Sequence, residues 1–278
     1  MTEPSAVELA ADLEVGKVSV REVVEACLAR IEKNEPRIGA WTFLDAAHVR
    51  AQADRLDAEK RAGRPLGPLF GLPVAVKDII DTADMPTENG SALCAGRRPR
   101  RDAWVVSRLR AAGAVLMGKT VTTEFACFRP GKTRNPHDPN RTPGGSSSGS
   151  AAAVAAGMVP LALGSQTNGS VIRPASFCGV FGFKPSYGLI PRKGVLTTSS
   201  TLDHLGGFAR SLPDVALLAE VLAGHDPDDP ATAPVATPPL RAAAERPPPV
   251  APRCAFVQGP TWEQAEPTTR EAFAELAD

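Results

Sequence analysis

The run VPLALGS, Val159 to Ser165, constrains the fold more than any other feature of this chain. It is apolar almost throughout, too short for a helix and bounded by a turn, so it reads as a strand buried on both faces. The text repeats that unit. GLPVAVKDII gives a buried strand over Val74–Val76 that delivers the charged pair Lys77 and Asp78 at its end, and AVLMGKT gives a third strand after a helix over DAWVVSRLRAAG. Helices alternating with wholly apolar strands imply an α/β fold: a mixed, largely parallel sheet covered by helices on both faces. No internal repeat is present.

Two capping boxes open the chain, Ser5 with Glu8 and Ser19 with Glu22, each followed by an amphipathic run. A third helical pattern covers about Asp45 to Arg61 and ends at Gly63 and Pro65. From His225 to Pro252 nine prolines make an extended surface loop. Beyond it RCAFVQG reads as another strand, and Thr268 with Glu271 caps a last helix. The expected organisation is a core over 1–224, the Pro-rich loop over 225–252, and over 253–278 the start of the C-terminal part of the same domain.

Lys plus Arg equals Asp plus Glu at 31 each, so no net field draws the chain to nucleic acid or to an anionic membrane. The cluster Arg97, Arg98, Arg100 and Arg101 reads as a solvated turn. Five scattered cysteines with no CxxC pair read as free thiols in a reducing compartment. The N-terminus has no basic region followed by an apolar core, and no run of about 18 apolar residues occurs. A cytoplasmic location is expected, with a small-molecule amide as partner; a homodimer is compatible with this reading.

The chemistry gathers around TPGGSSSGSAAAVAAG, Thr142 to Gly157. A helix from Ser147 to Gly157 advances about 15 Å, and the strand after it returns about 20 Å. QTNGS, ending at Ser170, therefore comes back to the helix start beside Ser146. If the Val74–Val76 strand is parallel to the returning one, Lys77 reaches the same rim, where sheets of this kind place their sites. A serine hydroxyl becomes a nucleophile when a base takes its proton, and a neutral lysine amine can be that base. Burial and the positive end of the helix would both push Lys77 down from its ordinary value of about 10.4. Small residues let bare N–H groups around Thr167 to Gly169 approach a developing oxyanion.

The stretch GGSSSGSAAAVAAGMVPLALGSQTNGSVIRPASFCGVFGFKPSYGLIP, Gly144 to Pro191, resembles the signature of the amidase signature family of serine hydrolases. GLPVAVKD and TEFACFRPGKTRNPHDPNRTPGG fit the same pattern, and the similarity runs from about Val20 to Asp229. The resemblance implies a Ser–cis-Ser–Lys triad: nucleophile Ser170, bridging Ser146 after a cis peptide, and Lys77. It places the oxyanion hole on the backbone of Thr167, Asn168 and Gly169, and Arg173 against a substrate carboxylate. It implies an amidase releasing acid and ammonia or amine, with no metal and no organic cofactor. The same signature marks the glutaminase-like component of the tRNA-dependent amidotransferase, which needs partner subunits. Two departures stand out. Asn168 replaces the usual glycine two residues before the nucleophile, and the chain stops inside a helix at Asp278, so a C-terminally truncated form of the fold is expected. A catalytically impaired remnant acting as a binding module is a third reading.

Other readings compete. GSSSG, Gly145 to Gly149, matches G-x-S-x-G, which would make Ser147 the nucleophile of an α/β-hydrolase with His204 or His225 downstream. Ser170 as a helix cap, Lys77 as a surface lysine paired with Asp78, and Arg173 in a structural salt bridge are the plain alternatives. His137 reads as a turn residue and Cys178 as core.

Overall fold

A computed structural model describes residues 3–277. Two compact units divide the chain, Met1–Glu245 and Arg246–Asp278. In the first, helix α1 spans Ala6–Glu14 and α2 spans Val20–Ile38, and both capping boxes form as the sequence implies. Helix α2 buries Val23, Val24, Cys27, Leu28 and Ile31, one stripe at helical spacing, and ends at Gly39 in the left-handed conformation. Helix α3 spans Ala46–Arg61, and the Asp45 carboxylate accepts from the N–H groups of Ala47 and His48.

The sheet has six strands: β1 (Trp41–Leu44), β2 (Pro73–Lys77), β3 (Val115–Thr120), β4 (Leu161–Gln166), β5 (Phe181–Phe183) and β6 (His204–Ala209). Their order across the sheet is β1-β3-β2-β4-β6-β5. The centre, β3-β2-β4, is parallel, whereas β1 pairs antiparallel with β3, β6 with β4, and β5 with β6. Strands β2, β3, β4 and β5 thus share one direction. Every residue of β2 and β3 is buried; since successive side chains point to opposite faces, both faces are covered. Helices α4 (Trp104–Ala111), α5 (Ser148–Ala155), α6 (Ile172–Cys178), α7 (Leu212–Leu222) and α8 (Leu240–Ala244) complete this unit.

Helix α5 is the one that matters for the site. Its Ala-rich face packs on β2 and β4, and small side chains bring it close. A Cβ on Gly149 would lie 2.3 Å from the Ala40 carbonyl oxygen and 2.5 Å from the Val121 nitrogen, so only glycine fits there.

Three readings are corrected. The Pro-rich segment is not wholly an extended surface loop: it contains α8, and Asp226 and Asp229 are buried, Asp229 pairing with Arg192 at 3.1 Å. Residues 253–259 form no strand. They are exposed, and no described strand lies alongside to complete a hydrogen-bond ladder. In the second unit helix α9 spans Pro267–Ala277, with Thr268 inside it rather than capping it; the Glu266 carbonyl accepts from Thr269 and Arg270. Phe256, Trp262 and Phe273 cluster there, with ring centroids 5.2 to 6.1 Å apart.

Candidate active site

Lys77 is the last residue of β2, and the pairing of β2 with β4 is parallel, as the sequence requires for it to reach the rim. It is fully buried. Its Nζ donates to Ser146 Oγ at 2.7 Å and to Ser165 Oγ at 2.8 Å. Burial brings the Lys77 ammonium down to about 7, against the opposing pull of the Asp203 carboxylate. A lysine in that range is neutral often enough near neutral pH to accept a proton.

The peptide bond between Gly145 and Ser146 is cis. The Ser146 carbonyl accepts from Thr123 N–H at 3.1 Å, which ties the loop before α5 to the segment after β3. Ser147 caps α5 and is fully buried; its Oγ donates to the Ser165 carbonyl at 3.2 Å and accepts from Ser165 N–H at 3.3 Å. With both roles occupied by backbone, Ser147 has no access to a substrate, which removes the G-x-S-x-G reading. Its downstream histidines fare no better. His204 Nδ1 lies 2.7 Å from the Leu202 carbonyl, and His225 Nδ1 lies 2.9 Å from Thr232 Oγ1.

Ser170 follows β4 by a three-residue turn and precedes α6. Gln166, the last residue of β4, shapes that turn: its Oε1 accepts from Val171 N–H at 2.9 Å and Ile172 N–H at 3.0 Å, satisfying donors at the start of α6. Gly169 adopts φ +155. Asn168 does not have positive φ, so the backbone at the position of the family's usual glycine is one that asparagine adopts without strain; the special conformation belongs to Gly169. Ser170 Oγ has no hydrogen-bond partner among the described residues, and the N-cap of α6 is Val171, so Ser170 does not cap the helix.

Ser146 and Ser170 line one cleft of about 350 Å³ together with Thr167, Asn168 and Arg173, while Thr123, Phe128 and Phe177 form other walls. Of the residues expected at the site, Ser146, Ser170, Thr167, Asn168 and Arg173 line this cleft, and Lys77 reaches it through its hydrogen bond to Ser146. Arg173 donates through Nε to the Gly145 carbonyl at 3.1 Å and has no acidic partner among the described residues, so a structural salt bridge is not its role. Asp78 does not pair with Lys77 either. It sits 3.7 Å from the buried Lys119, whose ammonium burial lowers to about 8 and whose Nζ donates to the Ile80 carbonyl and Thr87 Oγ1. His137 occupies a turn, its ring bonded to the Cys178 carbonyl at 2.9 Å; burial pushes the Cys178 thiol up to about 12, leaving it inert.

Three neighbours carry no sequence signal strong enough to single them out: Ser165, Gln166 and Asp203. Ser165 reads as the tail of a strand and Gln166 as the first residue of the loop after it. Asp203 lies in STLDH, a segment whose course only the fold reveals.

The site thus holds a buried lysine hydrogen-bonded to Ser146, which shares a cleft with Ser170, at the end of the parallel strands β2 and β4. The chain belongs to the amidase family: the family model Amidase matches residues 22–278. The A subunit of glutamyl-tRNA(Gln) amidotransferase from Chloroflexus aurantiacus is 48% identical over 234 residues, covering 82% of this chain and 48% of that protein. Its counterpart of the same name from Salinispora arenicola is 45% identical over 252 residues, covering 88% and 51%. Among solved structures, the native peptide amidase from Stenotrophomonas maltophilia superposes with a TM-score of 0.80 at 38% identity, over 86% of this chain and 52% of that one. The chain spans about half the length of these relatives. No described helix is long and apolar enough to cross a membrane.

Proposed function

We propose that this chain carries the acyl-transfer centre of an amidase that hydrolyses a carboxylic amide to the acid and ammonia or an amine. The observation that carries this reading is the 2.7 Å contact between Lys77 Nζ and Ser146 Oγ, with Ser146 sharing the cleft with Ser170. Neutral Lys77 accepts the proton of Ser146 as Ser146 accepts that of Ser170. The Ser170 Oγ then bonds to the amide carbon, and the carbonyl π pair moves onto oxygen, where main-chain N–H groups of Thr167 to Gly169 meet it. The tetrahedral intermediate collapses by breaking the carbon–nitrogen bond while the proton returns through Ser146 to the leaving nitrogen. Water then attacks the acyl-Ser170 ester by the same relay, releasing the acid and restoring both serines. Arg173, with no anionic partner of its own, is placed to meet a carboxylate on the substrate.

The test is ammonia release from a panel of primary amides by the purified chain, with Ser170→Ala as control. Activity in the wild type that disappears in the variant is expected; equal activity in both would refute the assignment. The relatives named as amidotransferase subunits favour a second reading, in which glutamine is the amide and the ammonia passes to a partner. Copurification of partner subunits, with glutamine preferred over other amides, would establish it.

A further inference from the structure

Lys77 stands between two cavities. On one side Ser146 Oγ connects it to the cleft that holds Ser170. On the other, Ser165 Oγ connects it to a separate cavity of about 220 Å³, lined by Ser165, Thr198, Asp203, His204 and Asp229 among others. Asp203 is the carboxylate of that second cavity that is not spent on a cation. Asp229 there is paired with Arg192, and Asp228 with Lys193. The hydrogen bonds of its carboxylate instead go to two loops: Oδ1 accepts from Thr167 Oγ1 at 2.5 Å and Thr198 Oγ1 at 2.8 Å, and Oδ2 from Thr198 N–H at 2.7 Å and Ser199 N–H at 2.8 Å.

We propose that Asp203 is a positioning residue for this site: its carboxylate fixes the Thr167 end of the oxyanion loop and is the unpaired acid of the cavity that Ser165 links to Lys77. The inference rests on the assignment of Ser170, Ser146 and Lys77 given above. Thr167 opens the three-residue turn before Ser170, so a brace on its side chain holds the direction of the N–H groups that follow. The other charges around Lys77 are already committed. On its own strand Asp78 faces Lys119 from β3 and accepts from the N–H groups of Glu88 and Gly90. From β4 and the loop before α5 only the hydroxyls of Ser165 and Ser146 reach it. From α6 Arg173 is held on the Gly145 carbonyl, and His204, beside Asp203, on the Leu202 carbonyl. Asp203 is the acidic group whose field favours the Lys77 ammonium. One side chain therefore couples the geometry of the oxyanion loop to the protonation of the base. A carboxylate that raises the proton affinity of the base also strengthens it once it is neutral.

The experiment follows the rate at which a fluorophosphonate labels Ser170 as a function of pH, which needs no knowledge of the substrate. In the wild type the rate rises with pH as Lys77 becomes neutral. Asp203→Asn removes the charge and turns one of the two acceptor oxygens into a donor, so the four hydrogen bonds of the carboxylate cannot all be kept. It is expected to slow labelling by about tenfold, less than the roughly 10²–10³ lost when an oxyanion donor itself is removed, and to move the midpoint to lower pH by about half a pH unit or more. Asp228→Asn removes an equal charge from the same cavity and is expected to keep the wild-type profile. An unchanged midpoint in Asp203→Asn, or an equal shift in Asp228→Asn, overturns the proposal. Should Asp203→Asn not fold, Asp203→Glu keeps the charge but misplaces it; slowed labelling at the wild-type midpoint supports the proposal, and a displaced midpoint or full speed overturns it. A wild-type chain that takes no label on Ser170 refutes instead the nucleophile assignment on which the inference rests.

Discussion

Replacing Lys77 by methionine tests the buried base without any assay of turnover. Methionine fills nearly the same volume and carries no charge. In the wild type the ammonium falls from 10.5 to about 7 on folding because burial strips it of water. That is a bias of roughly 5 kcal/mol against the protonated form, at about 1.4 kcal/mol for each pH unit. Between pH 7 and 10.5 the unfolded chain binds a proton that the folded chain has lost, so stability contributed by this site rises with pH across that window. Below 7 both states are protonated and the full penalty applies; above 10.5 neither is, and the penalty vanishes. Lys77→Met removes this dependence. It also removes the hydrogen bonds to Ser146 and Ser165, a loss of about 1 kcal/mol each that does not vary with pH. Lys119 titrates alike in both proteins and cancels from the difference. Urea unfolding at several pH values should therefore show the wild type gaining roughly 2 kcal/mol on Lys77→Met between about pH 7 and about pH 9. Parallel stability curves would show that Lys77 folds in as an ordinary ammonium, and its role as a base would have to be abandoned.

Three other variants separate architecture from chemistry. Ser147→Ala deletes two buried contacts with the Ser165 backbone and should lower stability by about 1–2 kcal/mol in denaturant melts while leaving fluorophosphonate labelling intact. Asn168→Gly should keep the labelling rate within about twofold, because the oxyanion donors are main-chain groups, and should destabilise by about 0.5–1 kcal/mol, because Asn168 has no positive φ for glycine to relieve; a large loss of labelling would mean that the Asn168 side chain takes part. Gly149→Ala forces a Cβ against the backbone of Ala40 and Val121 and should destabilise by about 3 kcal/mol or more, measured by thermal melting.

What the sequence makes legible follows from how local each signal is. Ser5, Ser19 and Asp45 act within one helical turn, so the first three helices can be read directly. Strands β2, β3 and β4 are buried on both faces and announce themselves as apolar runs. Strand β6 does not, since Gly206 and Gly207 interrupt it, and each fits only because the neighbouring Phe183 backbone or Leu218 side chain leaves no room for a Cβ. Strand β1 is too short to show a period. The proposed triad is legible because long sequence stretches fix Lys77, Ser146 and Ser170 at the ends of predictable elements. Asp203 and Ser165 are not, because their importance comes from contacts across 36 and 88 residues of chain that only the folded sheet brings about.

The central claim is that Ser170, and not Ser147, is the nucleophile activated through Ser146 and Lys77. Its most direct test is a peptide map of the chain after reaction with a fluorophosphonate. A single adduct on Ser170 is expected, lost in Ser170→Ala and strongly slowed in Lys77→Met. An adduct on Ser147, or one on Ser170 that forms equally fast without Lys77, would contradict it.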